Sequence, residues 1–151
     1  MVAVDRSSDG VTVIAVVGVE EHVLKSRGFL YETSWLEHFR KVPSKRKRGY
    51  LVKFVRRFPR ISRYLTCVKI LRGVDQLRRL VECLEPAVVL ADDKLYGLIK
   101  DVGAQVVPER SVRRKHHRRL MLIADNLANY FRVLLKTNPK RFNEELKRLE
   151  K

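Results

Sequence analysis

The stretch from Val2 to Val19, VAVDRSSDGVTVIAVVGV, decides how the chain is read. Val2 to Val4 is a short apolar run, and Asp9-Gly10 is a strong turn dipeptide. Val11 to Val19 is rich in β-branched residues. Two such runs around an Asp-Gly turn predict a β-hairpin. The second run is apolar on both faces, which predicts a strand near the centre of a sheet. Asp5 borders the first run, and a carboxylate beside buried strand is costly unless it is used.

Outward from this hairpin, GFLYET (Gly28–Thr33) reads as a third strand, and the capping-box spacing of Ser34-Trp-Leu-Glu37 as the start of a short helix. Pro43 and Gly49 bracket an expected loop. Ile70, Val74, Leu77, Val81 and Leu84 recur at helical spacing, and Pro86 closes that helix. Ala87–Ala91 (AVVLA) is wholly apolar and ends at Asp92-Asp93, as a buried parallel strand does. A short helix over Lys94–Val102 and a short strand over Gln105–Val107 follow. A basic segment, Arg110–Arg119, leads to an amphipathic helix through Leu120, Ile123, Ala124, Leu127, Ala128, Phe131 and Leu134. The order predicts an α/β domain over residues 1–151, with a mixed five-stranded sheet flanked by helices. Residues 38–70 form a basic helical insertion within it, and 139–151 a C-terminal surface helix.

Composition narrows the function. The 151 residues carry 33 Lys and Arg against 17 Asp and Glu, a net charge of +16. His38 to Val74 holds thirteen basic residues and no carboxylate. A solvated face ordinarily mixes signs, because like charges at helical neighbour positions repel. The excess points to a polyanionic partner, nucleic acid before membrane, and away from a small cationic substrate. Lys45, Arg46, Lys47, Arg48, Arg56 and Arg57, with Arg113, Arg114, Lys115 and Arg118, are the candidate phosphate contacts. No base-reading motif is present, so contacts to backbone and shape are expected, with DNA or RNA left open. Trp35, Phe39, Tyr50, Phe54 and Phe58 interleave with the cations; Phe54 and Phe58 at i, i+4 read as a core face rather than stacking platforms. Two cysteines, Cys67 and Cys83, are too few for a zinc site or a disulfide framework. No apolar run is long enough to span a bilayer, and the N-terminus lacks a basic signal-type region. A reducing cytoplasmic setting is expected, and two Gln with a third of the chain charged suit a heat-adapted source. Oligomeric state is left open.

Three elements in this order, VAVDRSSDG leading into a second strand, VVLADD ending the fourth and IADNLANYF on the last core helix, resemble the ribonuclease H-like superfamily of retroviral integrases and Holliday-junction resolvases. The likeness covers roughly residues 1–33 and 87–135. It implies a metal-dependent nuclease whose acids bind Mg²⁺ or Mn²⁺: Asp5, Asp92 and Asp125, with Asp93 the rival of Asp92. Glu37 matches a fourth acid by position only, and reads first as the capping-box partner of Ser34. His116, with His117 beside it, stands where some members place a histidine that assists protonation or product release. Arg6 departs from the family pattern, and Asp125 falls on a flank of its helix, consistent with solvent exposure as well as with ligation. Two ions bound by converging carboxylates activate water and stabilise the leaving oxygen of a phosphodiester. The alternatives are a non-catalytic nucleic-acid-binding or ribonucleoprotein component on the same fold and, less favoured by the early hairpin, a PIN-type nuclease.

Overall fold

A computed structural model describes residues 1–151. Strands β1 (Val2–Ser8) and β2 (Thr12–Gly18) pair antiparallel, with Asp5 opposite Ala15. Gly10 sits at the turn with φ +76°, a conformation that disfavours side chains carrying a Cβ. β3 (Cys67–Leu71) runs antiparallel to β2, whereas β4 (Val88–Ala91) and β5 (Gln105–Pro108) continue parallel on the other side of β1. The sheet order is β3-β2-β1-β4-β5. This mixed five-stranded α/β architecture is the one expected, and it is consistent with the ribonuclease H-like fold.

Both faces of the sheet are covered, as the two-sided apolar pattern of the hairpin requires. Ala3, Val13, Ala15 and Val17 face a large core shared with α1 (Arg27–Thr33), α2 (Lys47–Ser62) and α5 (Lys115–Thr137). Val2, Val4, Ile14 and Val16 face a smaller core with α3 (Leu77–Leu84) and α4 (Asp93–Ile99). Strand alternation therefore puts Asp5 and Ser7 on the α5 face, and starts Arg6 on the opposite face with Val4.

Several local expectations are corrected. Gly28–Thr33 is helix α1, not a strand: Ser26 caps it by accepting the Phe29 N–H at 3.4 Å, and Phe29 and Thr33, four apart, bury one face. The third strand is Cys67–Leu71, inside the basic stretch, so Ile70 belongs to the sheet and the helix begins at Leu77. Ser34 closes α1, donating its hydroxyl to the Tyr31 carbonyl at 2.9 Å, and forms no capping box with Glu37. The expected loop at 43–49 is a single 3-10 turn (Ser44–Arg46) running into α2. Pro59 lies within α2, which runs on to Ser62; its missing N–H leaves the Val55 carbonyl without its helical donor. The C-terminal helix α6 (Pro139–Leu149) is more than a surface element: Phe142 and Leu149 are buried, and Phe142 meets Phe131 edge-on at 5.4 Å. Beyond it, Lys151 and Val68 exchange backbone hydrogen bonds, so the chain end lies along β3.

Candidate metal centre and basic cleft

The site forms where β1 and β4, side by side and parallel, bring Asp5 and Asp92 together. Asp5 projects from the middle of β1 and is 5% exposed. Asp92 follows β4, its N–H bonded to the Val4 carbonyl at 2.9 Å. Its Oδ1 caps α4 through the Lys94 N–H at 2.6 Å, so helix capping and membership of the site coexist. The third carboxylate is Glu109, immediately after β5. Asp5, Asp92 and Glu109 each present an oxygen within 4.8 Å of the others. Three carboxylates disposed this way can hold a metal ion.

Asp125 adjoins this triad from α5. It is 6% exposed, so it is not the solvated helix residue that its place on the wheel allowed. Its Oδ2 accepts the Phe39 N–H at 2.8 Å, and its Oδ1 accepts from Asn129 Nδ2 at 3.2 Å. His38, from the segment before α2, lies 3.7 Å from Asp125 and 3.8 Å from Glu109. The segment carrying it is pinned to the core. Tyr50 Oη accepts the Glu37 N–H at 2.9 Å and donates to the Glu37 carbonyl, to which the fully buried Asn126 also donates at 3.0 Å. Burial pushes the Tyr50 phenol up to about 12.

The electrostatics are those of crowded acids, two of which, Asp5 and Asp92, have no cationic partner. Burial pushes Asp5 well above the ordinary carboxylate range, and hydrogen bonding to Asp92 and the charge of Asp125 push it further. Glu109 is also raised, chiefly by burial, with Asp92, Asp125 and Asp93 adding repulsion and His38 acting in the opposite sense. Neither Asp5 nor Asp92 forms an ion pair with Lys, Arg or His. Asp93 lines the same lobe outside the triad and is bonded at 3.2 Å to both the backbone and the guanidinium of Arg110.

Cations surround the acids in two connected lobes. One, about 660 Å³, holds Asp5, Asp92, Glu109 and Asp125 among Arg40, Lys47, Lys94 and Arg132. The other, about 510 Å³, is lined by Arg113, Arg118, Glu37 and Met121. The two share His38, Lys41, Glu109, Arg110 and Asp125. Of the cations singled out in the sequence, Lys47, Arg113 and Arg118 line this cleft. Lys45 and Arg46 line a neighbouring hollow with Trp35, and Arg57 stacks over the Trp35 ring at 5.6 Å. Arg48 and Arg56 are exposed on α2. Arg114 lines a separate hollow with His117, and Lys115 starts α5.

His116 is not brought to the acids. It precedes Asp125 by nine residues on α5, about 14 Å along the axis, and its charged neighbours are Lys25, Arg114 and Glu21. Glu37 is exposed, 3.8 Å from Arg46, and borders the second lobe rather than the triad. Glu109 and His38 escaped the sequence reading. Glu109 had a signal: it follows an apolar run as Asp92 does, and neighbouring parallel strands end side by side. His38 had none, since it only heads the basic stretch. No protein-family model and no curated protein sequence compared with the chain matches it, so function has to be read from the geometry of the cleft. No helix is long and apolar enough to cross a membrane.

Proposed function

We propose that the chain is a metal-dependent nuclease that hydrolyses phosphodiester bonds in DNA or RNA. The observation carrying this reading is the Asp5–Asp92–Glu109 triad at the floor of a cleft walled by basic residues. The residues fit a divalent cation. Every donor is a carboxylate oxygen, the preference of Mg²⁺ and Mn²⁺, and the burial and neighbouring acids that push Asp5 upward are what a bound cation would offset. Asp5, Asp92 and Glu109 would hold the ion, with Asp125 beside them. When bound, such an ion supplies a Lewis acid that offsets phosphate charge and activates water.

The chain's own residues do the remainder. Lys41 and Arg110, shared by the two lobes, sit where they contact phosphates next to the acids. Arg40, Lys47 and Lys94 hold the strand on one side, and Arg113 and Arg118 on the other. Contacts of this kind fix register without reading sequence. His38, within 4 Å of Asp125 and Glu109, stands where it accepts or returns a proton.

A second reading, a nucleic-acid-binding component without catalysis, draws on the Phe39 N–H bond to Asp125, which gives that carboxylate a structural task. Labelled single-stranded, duplex, hybrid and branched substrates incubated with Mg²⁺, Mn²⁺ or EDTA separate the two. Metal-dependent cutting lost in Asp5→Asn and Glu109→Gln, with binding retained, supports the nuclease. Tight binding with no cutting of any substrate, indifferent to metal and to both substitutions, overturns it.

A further inference from the structure

A polar stripe on α5 lines the same lobe as the acids and packs against β1. Asp125, Asn129 and Arg132 stand at i, i+4 and i+7, so they share one side of the helix. Ser7, two residues beyond Asp5 on the same face of β1, closes against them. Arg132 Nε donates to Ser7 Oγ at 2.7 Å, and Ser7 Oγ donates to Asn129 Oδ1 at 2.9 Å. Asn129 Nδ2 in turn donates to Asp125 Oδ1 at 3.2 Å and to the Asp125 carbonyl at 2.8 Å. A second nitrogen of the Arg132 guanidinium reaches Asn129 Oδ1 at 3.4 Å, and its third lies 3.5 Å from Asp9.

The direction of this chain of bonds is set at its far end. A guanidinium has five donors and no acceptor. Ser7 Oγ must therefore accept from Arg132 and spend its single proton on Asn129 Oδ1. The Asn129 amide is then oriented with its NH₂ toward Asp125, and Asp125 receives a donor. Reversing the amide would set Asn129 Oδ1 against a carboxylate oxygen and its NH₂ against a guanidinium. One stable arrangement remains, and it anchors the rotation of the Asp125 carboxylate from Oδ1 while the Phe39 N–H anchors it from Oδ2.

The geometry points to Arg132 as a positioning residue that acts through Ser7 and Asn129 to hold the Asp125 carboxylate beside the Asp5–Asp92–Glu109 triad for a divalent cation. This rests on the metal-site reading given above. It assigns work to residues that line the same lobe but lie outside the triad. Outer partners of metal-binding side chains typically change metal affinity by 10–100-fold when removed.

The test is Mn²⁺ binding to the full chain, followed by calorimetry and by the decrease of the free-ion paramagnetic signal, with melting temperatures recorded in EDTA. Ser7→Ala and Arg132→Met each break the relay without altering an acid. Both are expected to weaken Mn²⁺ binding by about 10–100-fold, and the double variant to be little worse than either alone. Ser7→Thr retains the hydroxyl and is expected to bind close to wild type. Asp5→Asn is the reference for removal of the triad. If Asp5→Asn abolishes binding while Ser7→Ala and Arg132→Met bind as wild type does, whatever their melting temperatures, the relay only staples β1 to α5 and the inference fails with the metal reading intact. If the wild-type protein shows no saturable Mn²⁺ binding, the metal reading falls and this inference with it.

Discussion

Replacing Asp5 by Asn removes one buried charge from a group of acids in which neither Asp5 nor Asp92 has a cationic partner, and the resulting change in stability depends on metal. With Asp5, Asp92 and Glu109 oxygens within 4.8 Å of one another, each fully ionised pair repels by at least about 3.5 kcal/mol at an effective dielectric constant of 20. The penalty is capped, because Asp5 can keep its proton; holding a proton at pH 7 on a group that ordinarily loses it near 3.9 costs about 4 kcal/mol. Asn carries no charge and donates to Asp92 in place of that proton. Asp5→Asn is therefore expected to stabilise the protein in EDTA at pH 7 by roughly 1–4 kcal/mol, read as about 2–4 °C of melting temperature per kcal/mol for a chain of this size. Because the folded-state pKa of Asp5 is raised, the native carboxyl carries no penalty below the ordinary Asp range and an increasing one as pH rises above it. The advantage of the variant should shrink as pH falls toward 4. Saturating Mn²⁺ should raise the wild type more than the variant, since a ligand at 100 times its Kd stabilises the wild type by about 2.7 kcal/mol and the variant by less. Thermal melts of both proteins in EDTA and in Mn²⁺, at pH values from 4 to 8, measure all of this. A variant less stable than wild type in EDTA, or equal shifts of both proteins in Mn²⁺, would refute the reasoning.

The two lobes place cations on both sides of the acids, so a strand is expected to run through the cleft and a covalently closed circular substrate to be cut as readily as a linear one; a gel that shows circles intact while linear strands shorten removes that picture. Charge reversal at Lys41 and Arg110, tested by filter binding at several salt concentrations, should weaken nucleic-acid binding and flatten its salt dependence, with the logarithmic slope falling by about 0.7–0.9 for each phosphate that is no longer neutralised; an unchanged slope would place the bound strand elsewhere. Tyr50→Phe should leave the Glu37 N–H unpaired and destabilise the fold by about 1–3 kcal/mol. In the wild type, ultraviolet titration should find a phenol ionising near 12, and stability contributed by Tyr50 should be intact below pH 10 and vanish as pH rises toward 12; a Tyr50→Phe protein with the same alkaline stability profile would contradict this.

Features written in local periodicity were legible before any tertiary structure. The Asp-Gly turn between two β-branched runs allows little but a hairpin, AVVLA is too apolar for any place except a buried strand, and the stripe from Leu120 to Leu134 is long enough to call for a packed helix. These three supply the central strands and the helix that covers them, and with them the placement of Asp5, Asp92 and Asp125. The sequence misled where tertiary context outweighs local preference. GFLYET has strand-forming aromatics, yet its Phe29 and Thr33 become one face of a capped helix against the core. CVKIL was hidden in a helical-looking run because a five-residue edge strand carries too few positions to establish a period. The composition of the site was a matter for the fold alone. Glu109 meets Asp5 because β5 lies two strands from β1 and in parallel with it, and His38 meets Asp125 because Tyr50 and Asn126 hold the Glu37 backbone. Asp92 rather than Asp93 enters the triad, and Asp93 pairs with Arg110 instead. Pairings over such sequence separations leave no periodic trace, since they depend on which strand ends the sheet order brings side by side.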